Sequence, residues 1–305
     1  MIVFRYIAFL LITFPLSVNS CDICGCSMGT SAALLPQLNN SVLGLRYNTS
    51  FFTSIHPSHG TADAPIKKSR DEFHSIELVG RYNLSPRFHL TALLPYKISS
   101  QQEGETVFHN SGVGDLILLG QFLTFHPNYC SGRKDKHQLR LGAGIKFPTG
   151  SFEKMREGRL LHAHLQNGTG SLDLLFSGIY TLRVAAWGFN TEVAYRLNNP
   201  NINRYRYGNR TRVSTTAFYW WNNNNNKLSL LPTAGLVLEH AQPNKEILKT
   251  IPYTGGWGLY ASTGLDILVK NVVLGVHVYP SVIEKWGSSL VKRNFMGEVT
   301  VVAAF

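Results

Sequence analysis

The chain has 305 residues, of which 44% are hydrophobic and 15% charged, and its formal net charge is +11. A mean hydropathy of −0.04 excludes a membrane protein built from apolar helices. The 27 glycines and the 11% of aromatic residues instead favour many strands joined by turns.

Residues 1–20 have the pattern of a secretory signal peptide. A lone Arg5 precedes an apolar run from Tyr6 to Leu16, and small residues lead up to a cleavage site after Ser20. The apolar run is too short to cross a hydrocarbon core of about 30 Å as a helix. Since a secreted chain rarely meets nucleic acid, we expect the positive charge to contact lipopolysaccharide or acidic solutes, with no nucleic-acid partner.

Three cysteines follow at once, in a segment (21–40) that we predict to be periplasmic. Cys21, Cys24 and Cys26 are too closely spaced to be a chance arrangement, and the fourth cysteine is Cys130. Three explanations stay open. The first cysteine carries a lipid, or the cysteines form disulfides in the oxidising envelope, or their thiolates hold a soft metal ion such as copper or zinc. No other cofactor is expected.

Alternation of apolar and polar residues predicts about twelve strands. The alternation is cleanest at 187–197, where Trp187, Phe189 and Val193 alternate with Asn190 and Glu192. The other segments lie at 41–53, 72–84, 87–97, 113–125, 139–147, 171–182, 206–221, 227–239, 257–268, 271–281 and 294–305. Each is long enough to cross a bilayer as a tilted strand.

The last of these segments indicates how the strands assemble. Its odd positions are apolar and end on Phe305, whereas Glu298 and Thr300 occupy even positions. Outer-membrane barrels end in this way, because the final strand pairs with the first and leaves no edge. We therefore predict an all-β fold, a closed antiparallel up-and-down transmembrane β-barrel of about twelve strands over 41–305. The barrel-assembly machinery should engage the strand that ends in Phe305.

The connections alternate between short and long, which sets the orientation. We expect long loops at 54–71, 98–112, 148–170, 240–256 and 282–292, and such loops face outward in outer-membrane barrels. Both termini should then lie on the periplasmic side. The connection that holds Cys130 would lie there too, so that all four sulfur atoms could meet.

Ionisable residues within the strands should face the lumen, because a charge facing lipid costs about 2 to 4 kcal/mol near the midplane. They form either a salt-bridge and water network that supports the wall or a lining that selects solutes. The candidates are Arg46, Glu77, Arg81, Asp115, Arg140, Lys146, Asp173, Glu192, Arg196, Glu239, Asp266, His277 and Glu298.

Three short motifs lie at strand ends: GVGDLIL at 112–118, GIKFPTG at 144–150 and NGTGSLD at 167–173. Proline in the second motif removes a donor from the sheet, and Gly168 and Gly170 in the third permit positive φ. The motifs are therefore interpreted as the ends and starts of strands rather than as ligand contacts. The loop between the second and third motifs, with His162 and His164, is a candidate plug or gate.

In their order and spacing these motifs, with 187–196 and the terminal phenylalanine, resemble the family of outer-membrane channels named for the meta-pathway of phenol degradation. The resemblance covers roughly 41–305. It implies a β-barrel and a transport role, often for small hydrophobic or aromatic compounds.

We therefore predict an outer-membrane channel for passive passage of small solutes, which are either hydrophobic or aromatic compounds or linked to a metal at the cysteines. The chain has no phosphate-binding loop with lysine and no plug domain ahead of the barrel. A structural or adhesin-like barrel is the alternative. An enzyme is not expected, because Ser50, His74 and His277 occur in no catalytic motif.

Overall fold

A computed structural model describes residues 40–56, 67–125, 135–156, 159–223 and 228–305. These ranges form a closed barrel of 12 antiparallel strands, which confirms the predicted fold class. Within them, no helix has the length and apolar character needed to cross a membrane. The predicted signal peptide and all four cysteines lie outside the described residues.

Each barrel strand is hydrogen-bonded to the next one along the chain. In chain order the strands are β1 (Val42–His56), β2 (Lys67–Asn83), β3 (Phe88–Glu103), β4 (Thr106–Val113 and Leu116–Phe125), β5 (Asp135–Phe147), β6 (Asp173–Val184), β7 (Trp187–Leu197), β8 (Arg210–Tyr219), β9 (Leu228–Ala241), β10 (Gly256–Val269), β11 (Val272–Val278 and Ser281–Trp286) and β12 (Val291–Ala304).

Pairing between the first and last strands closes the barrel. The register runs from Val42 opposite Ala304 to Ser54 opposite Val291, with one irregularity. The backbone N–H of Phe305 donates to the carbonyl oxygen of Ser41 at 2.9 Å, so the last residue takes part in the closure. No strand edge is left between β12 and β1, as a bilayer requires.

The two ends of the barrel differ. At one end, called the turn end, residues 84–87, 185–186 and 270–271 make tight connections. At the other, called the loop end, residues 148–172, 198–209 and 242–255 make long ones. Two of the predicted long loops are wrong. Strands β3 and β4 continue through most of 98–112 and turn at Gly104, where φ is +61°, and β11 continues to Trp286.

The outer face of the wall is apolar. Leu45, Leu78 and Leu141 are 51%, 46% and 49% exposed. Aromatic side chains stand on the same face near the turn end, among them Trp187 and Trp221. An apolar band with aromatic residues near its rim is the surface that bacterial barrels present to lipid.

Apolar side chains fill the interior at the turn end. This turn-end cluster packs two partly buried residues, Trp220 and Leu268, against buried Val42, Phe218, Leu231, Val273, Val302 and Ala304. The end of the Phe218 ring lies against Gly188, where an added Cβ would come within 2.1 Å of Cζ. Glycine at this position of β7 therefore lets the ring reach across the inner face.

Candidate functional site in the lumen

The inner face of the wall carries the ionisable residues that the alternation singled out. All except Glu239, whose side chain is 18% exposed, are at most 7% exposed. They are Arg46, Glu77, Arg81, Asp115, Arg140, Lys146, Asp173, Glu192, Arg196, Glu239, Asp266, His277 and Glu298. The structure gathers many of them into separate charged groups.

The three short motifs meet in one of these groups. Lys146, from the second motif, donates to Asp115 of the first motif at 2.7 Å and lies 2.8 Å from Asp173 of the third. Asp115 also accepts from the backbone N–H groups of Gly150 at 3.0 Å and Thr169 at 2.9 Å. The motifs therefore do more than mark the ends and starts of strands. Together they place the buried ammonium group of Lys146 between two carboxylates.

Glycines of the same motifs pack backbone against backbone. A Cβ at Gly168 would come within 2.2 Å of the Gly150 carbonyl oxygen, and one at Gly150 would come within 2.9 Å of Gly114. Of the two glycines for which positive φ was predicted, Gly170 has it, at +68°. The φ angle of Gly168 is not positive. Glycine is required there by close contact rather than by backbone conformation.

Between the second and third motifs the chain folds into the mouth of the barrel. This inserted loop comprises residues 148–156 and 159–172 of the described chain. Lys154 donates from Nζ to Asn110 Oδ1 and to the carbonyl oxygen of Ser111, both at 2.7 Å. Asn110, on β4, donates in turn to the carbonyl oxygen of Leu165 at 2.6 Å and to Asn167 Oδ1 at 3.2 Å. Polar side chains therefore fasten the loop to the wall.

Further contacts surround the tip of the inserted loop. His164 lies 3.3 Å from Gln101 Nε2 on β3, and its ring packs edge-on against Phe73 of β2. Tyr207, in the loop between β7 and β8, donates to the carbonyl oxygen of Ala163 at 3.0 Å. The rings of His162 and His164 stack with centroids 5.6 Å apart. No group of three His, Cys, Asp or Glu residues within the described ranges could hold a metal ion.

A second charged group lies on β1 and β2. Arg46 and Glu77 form a buried two-bond ion pair, with Nε and Oε2 at 2.9 Å. Glu77 also accepts from Asn48 at 3.0 Å and from Ser75 at 3.2 Å. On the neighbouring strand Thr300 donates to Glu298 at 3.1 Å. Each carboxylate of this group thus has a donor in the wall, as buried charges require.

A third group joins charges on β8, β9 and β12 to aromatic rings on β1 and β10. Glu239 accepts from Arg212 and, at 2.9 Å, from Arg293. The Arg293 guanidinium lies 4.4 Å from the centre of the Tyr260 ring and 5.3 Å from that of Phe52. The lumen therefore offers stacked aromatic and cationic surfaces beside a carboxylate.

The catalytic candidates lie apart from one another. Ser50 faces the lumen, whereas His74 lies on the outer face, where Nδ1 is 2.8 Å from the hydroxyl of Tyr47. His277 Nε2 is 2.9 Å from Asp266 Oδ1, and both side chains are at most 1% exposed. The arrangement brings no serine hydroxyl and histidine of this set together as a nucleophile and base would require.

Small cavities lie inside the barrel among the described residues. A cavity of about 50 Å³ lies between the inserted loop and β1 to β3, and another, of about 40 Å³, lies beside Glu77, Lys146 and Arg196. A cavity of about 150 Å³ is needed to hold a benzene ring. Both cavities suit water molecules rather than an aromatic solute.

Sequence reasoning missed the polar residues that hold the inserted loop, Asn110, Lys154, Gln166 and Asn167. Gln166 bridges the loop, accepting from the backbone N–H of Lys154 and donating to its carbonyl oxygen, each at 3.1 Å. Asn167 is fully buried. Its position as the first residue of the third motif is the signal that could have found it.

The chain is similar to a protein family and, at low identity, to solved structures. Residues 71–246, more than half of the chain, match the family model described as "Putative MetA-pathway of phenol degradation". No curated protein matches the chain. Among solved structures, the β domain of the Bordetella autotransporter BrkA is similar over 87% of this chain and 100% of its own, at 9% identity and a TM-score of 0.49. The translocator domain of the autotransporter NalP from Neisseria meningitidis is similar over 87% and 88%, at 12% identity and a TM-score of 0.42.

Proposed function

We propose that this chain, which belongs to the family described as MetA-pathway of phenol degradation, is an outer-membrane channel for small solutes that its inserted loop closes. An apolar outer face and a closed sheet suit a bilayer. In the proposed orientation the turn end faces the periplasm, as short turns do in bacterial barrels. The activity is passive passage rather than catalysis.

The observation that carries the proposal is the way in which the inserted loop is held. Its contacts with β4 are hydrogen bonds through Lys154 and Asn110. A hydrogen bond within a protein is worth about 0.5 to 1.5 kcal/mol net, and about 1.5 to 3 kcal/mol where one partner is charged as Lys154 is, because water offers the same groups a replacement. A loop held in this way can leave the lumen and become hydrated. Replacing buried ion pairs by apolar side chains often leaves a protein equally stable or makes it more stable. The buried ion pairs of the lumen are therefore not needed for the stability of a barrel that stays filled.

A solute can pass through the barrel only if the inserted loop leaves the lumen. The cavities of about 50 and 40 Å³ are too small for a ring-sized solute. With the inserted loop withdrawn and the turn-end cluster displaced, a solute would pass between the Lys146 group and the aromatic rings around Arg293. Small aromatic or hydrophobic compounds suit that path, since their rings can stack on Tyr260 and Phe52.

Planar-bilayer recordings on the refolded full chain test the proposal. We expect the wild type to open rarely and Lys154→Ala to open more often, because the variant loses both bonds from Nζ to β4. Lys249→Ala is the matched control, since Lys249 is exposed on the hairpin between β9 and β10 and its substitution removes the same charge. Heat-modifiable migration on gels would establish that each variant is folded.

Vesicle experiments with the same samples separate the alternatives. Solute uptake that increases in Lys154→Ala and not in Lys249→Ala supports a channel closed by the inserted loop. Breakdown of vesicle lipid would support an enzyme instead. If folded wild type and Lys154→Ala showed neither conductance nor uptake, the barrel would be structural or adhesin-like.

A further inference from the structure

Basic side chains collect on the outer face of the barrel at the loop end, away from the lumen. Arg70 of β2 and Lys292 of β12 both lie opposite Thr53 of β1, so they flank it on either side. Lys68 lies two residues from Arg70, and therefore on the same face of β2. All three basic side chains are exposed. They occupy neighbouring positions on consecutive strands.

A fourth cation comes from β11. Trp286 pairs with Val291 of β12, and the antiparallel register therefore places the next residue, Lys285, beside Lys292. On its other side, Lys285 lies opposite Trp257 of β10. Its side chain is exposed as well. Four neighbouring strands, with about 4.8 Å between each pair, thus carry a surface about 14 Å wide. This surface, the basic patch, comprises Lys68, Arg70, Lys285 and Lys292.

One carboxylate lies at the edge of the basic patch. Arg70 Nε is 3.4 Å from Glu72 Oε1, and the two side chains are 67% and 35% exposed. An ion pair this open to solvent is weak, because water screens both charges. A guanidinium group has five N–H donors, so Arg70 can bind a phosphate while it keeps this contact. Four cations and one carboxylate leave the patch positively charged.

The basic patch borders the apolar band of the wall. One step closer to the middle of the barrel, Phe51 and Phe295 lie opposite each other on the outer face, with ring centres 6.1 Å apart. Tyr47 and Leu45 follow on the same face and are 39% and 51% exposed. Aromatic residues of bacterial barrels lie at the interface between acyl chains and headgroups. The patch therefore lies at the level of the lipid headgroups.

The basic patch occupies one side of the barrel. At the loop ends of β5, β6 and β7, the outer face carries Ile145, Leu174 and Leu197, which lie opposite one another in the sheet. Positive charge is thus not spread evenly around this rim. Because like charges on neighbouring strands repel, an anion lying against all four cations would stabilise them.

We infer that the basic patch binds the phosphate groups of lipopolysaccharide, the phosphorylated lipid of the outer leaflet. The acyl chains would pack on the apolar band, and the phosphates would accept charge-assisted hydrogen bonds from Arg70 and the three lysines. The patch lies on both sides of the pairing between β12 and β1, so the lipid would lie across the closure of the barrel. The inference takes only the orientation, with the loop end outward, from the proposed function. It requires no open lumen.

Native mass spectrometry of the refolded full chain in detergent tests the inference by counting the lipid bound to each barrel over a range of lipid concentrations. The probes are lipopolysaccharide, its dephosphorylated form, phosphatidylglycerol and inorganic phosphate. Arg70→Gln/Lys292→Gln should weaken lipopolysaccharide binding about 25-fold, since each basic residue at a lipid surface contributes about fivefold. Arg87→Gln/Lys270→Gln is the matched control, because it removes the same two charges from exposed positions at the turn end. This variant should bind as the wild type does.

Several results would overturn the inference. Equal affinities in the two double variants, or equal binding of lipopolysaccharide with and without its phosphates, would show that the patch does not recognise them. Equal binding of phosphatidylglycerol would indicate a general attraction to acidic lipid. Displacement of the lipid by an equal concentration of inorganic phosphate would indicate a site for free anions instead.

A second comparison guards against misfolding. If Arg70→Gln/Lys292→Gln were not heat-modifiable on gels, Lys285→Gln and Lys270→Gln would give the same contrast, with an expected difference of about fivefold. The outcome is also separate from that of the channel experiments. Phosphate-dependent binding by a barrel without conductance would support the lipid site and count against the channel alone.

Discussion

Gly150 and Gly168 touch through their backbones at the base of the inserted loop, where a Cβ on Gly168 would come within 2.2 Å of the Gly150 carbonyl oxygen. The contact joins the two ends of the loop to each other and to Asp115 on the wall. The loop can therefore change position at its tip while its base stays fixed.

Gly168→Ala should loosen this base. The added methyl group must displace backbone rather than a flexible side chain, and overpacking of this kind costs about 1 to 3 kcal/mol. We expect faster proteolytic cleavage within the inserted loop and more frequent channel opening, with the barrel still heat-modifiable. Gly80→Ala is the control, because its Cβ would meet only Leu43, at 3.6 Å. Equal cleavage rates in the two variants would contradict the role given to the contact.

Lys146→Met should destabilise the barrel strongly. The substitution leaves Asp115 and Asp173 buried without their cation, and removal of one partner from a buried ion pair costs about 3 to 5 kcal/mol. The free energy of unfolding in urea, measured in lipid vesicles, checks this. The triple variant Lys146→Met/Asp115→Asn/Asp173→Asn should recover part of the loss because it removes the uncompensated charges. A single variant no less stable than the triple would show that the charges are not coupled.

Deletion of Phe305 should slow or prevent closure of the barrel. The residue continues the pairing of β12 with β1 through its bond to Ser41, and its side chain is 69% exposed on the outer face. The heat-modifiable fraction in the outer membrane measures assembly. Phe305→Trp keeps an aromatic end and should assemble, whereas Phe305→Asp should resemble the deletion. Normal assembly of both the deletion and the aspartate variant would contradict this requirement.

Leu141→Arg tests the lipid-facing surface. Leu141 lies midway along β5 on the outer face, and a charge there should cost about 2 to 4 kcal/mol in a bilayer. Leu84→Arg is the control, since Leu84 is 57% exposed in the turn between β2 and β3, beyond the strand ends. Reversible unfolding of each variant from lipid vesicles measures its free energy of unfolding, and the difference from wild type gives the cost of each substitution. Similar losses in the two variants would mean that this face of β5 does not contact lipid.

The cysteines lie outside the described residues, and their state stays a prediction. Mass spectrometry of the purified protein, before and after alkylation without reductant, distinguishes the three explanations. We expect bridged cysteines that resist alkylation in the oxidising envelope. Acylated Cys21 would establish a lipid anchor, and metal lost in Cys24→Ser/Cys26→Ser would establish a copper or zinc site. Full alkylation of four metal-free thiols would exclude both bridges and metal.

The wall could be predicted from the sequence because lipid contact imposes the same alternation on every strand, with apolar residues facing outward and polar residues facing inward. Leu141 and Phe189 point outward and Arg140 and Asn190 inward, as their alternation indicates. The rule fails beyond the membrane. Ser99 and Gln101 continue β3 with polar residues, and Asn110 does the same in β4. Such a stretch has the composition of a loop, which is why 98–112 was predicted as one.

The interior of the site could not be predicted because its contacts join distant parts of the chain. Lys146 and Asp115 are 31 residues apart, and Asn110 and Asn167 are 57 apart. Each motif has a local explanation as the end of a strand, and only the closed wall shows that Asp115, Lys146 and Asp173 meet.

The turn-end cluster makes the two entrances chemically unequal. A solute from the loop end first meets hydrogen-bonding groups that can replace its hydration shell one water at a time. At the other entrance it reaches Phe218, lying on Gly188, and the valines around it, which can replace none. Dehydration would thus fall at a single step, next to the periplasm in the proposed orientation. Under an applied voltage, the current of hydrated ions through the open barrel would then depend on the sign of the voltage, because the apolar barrier lies near one end.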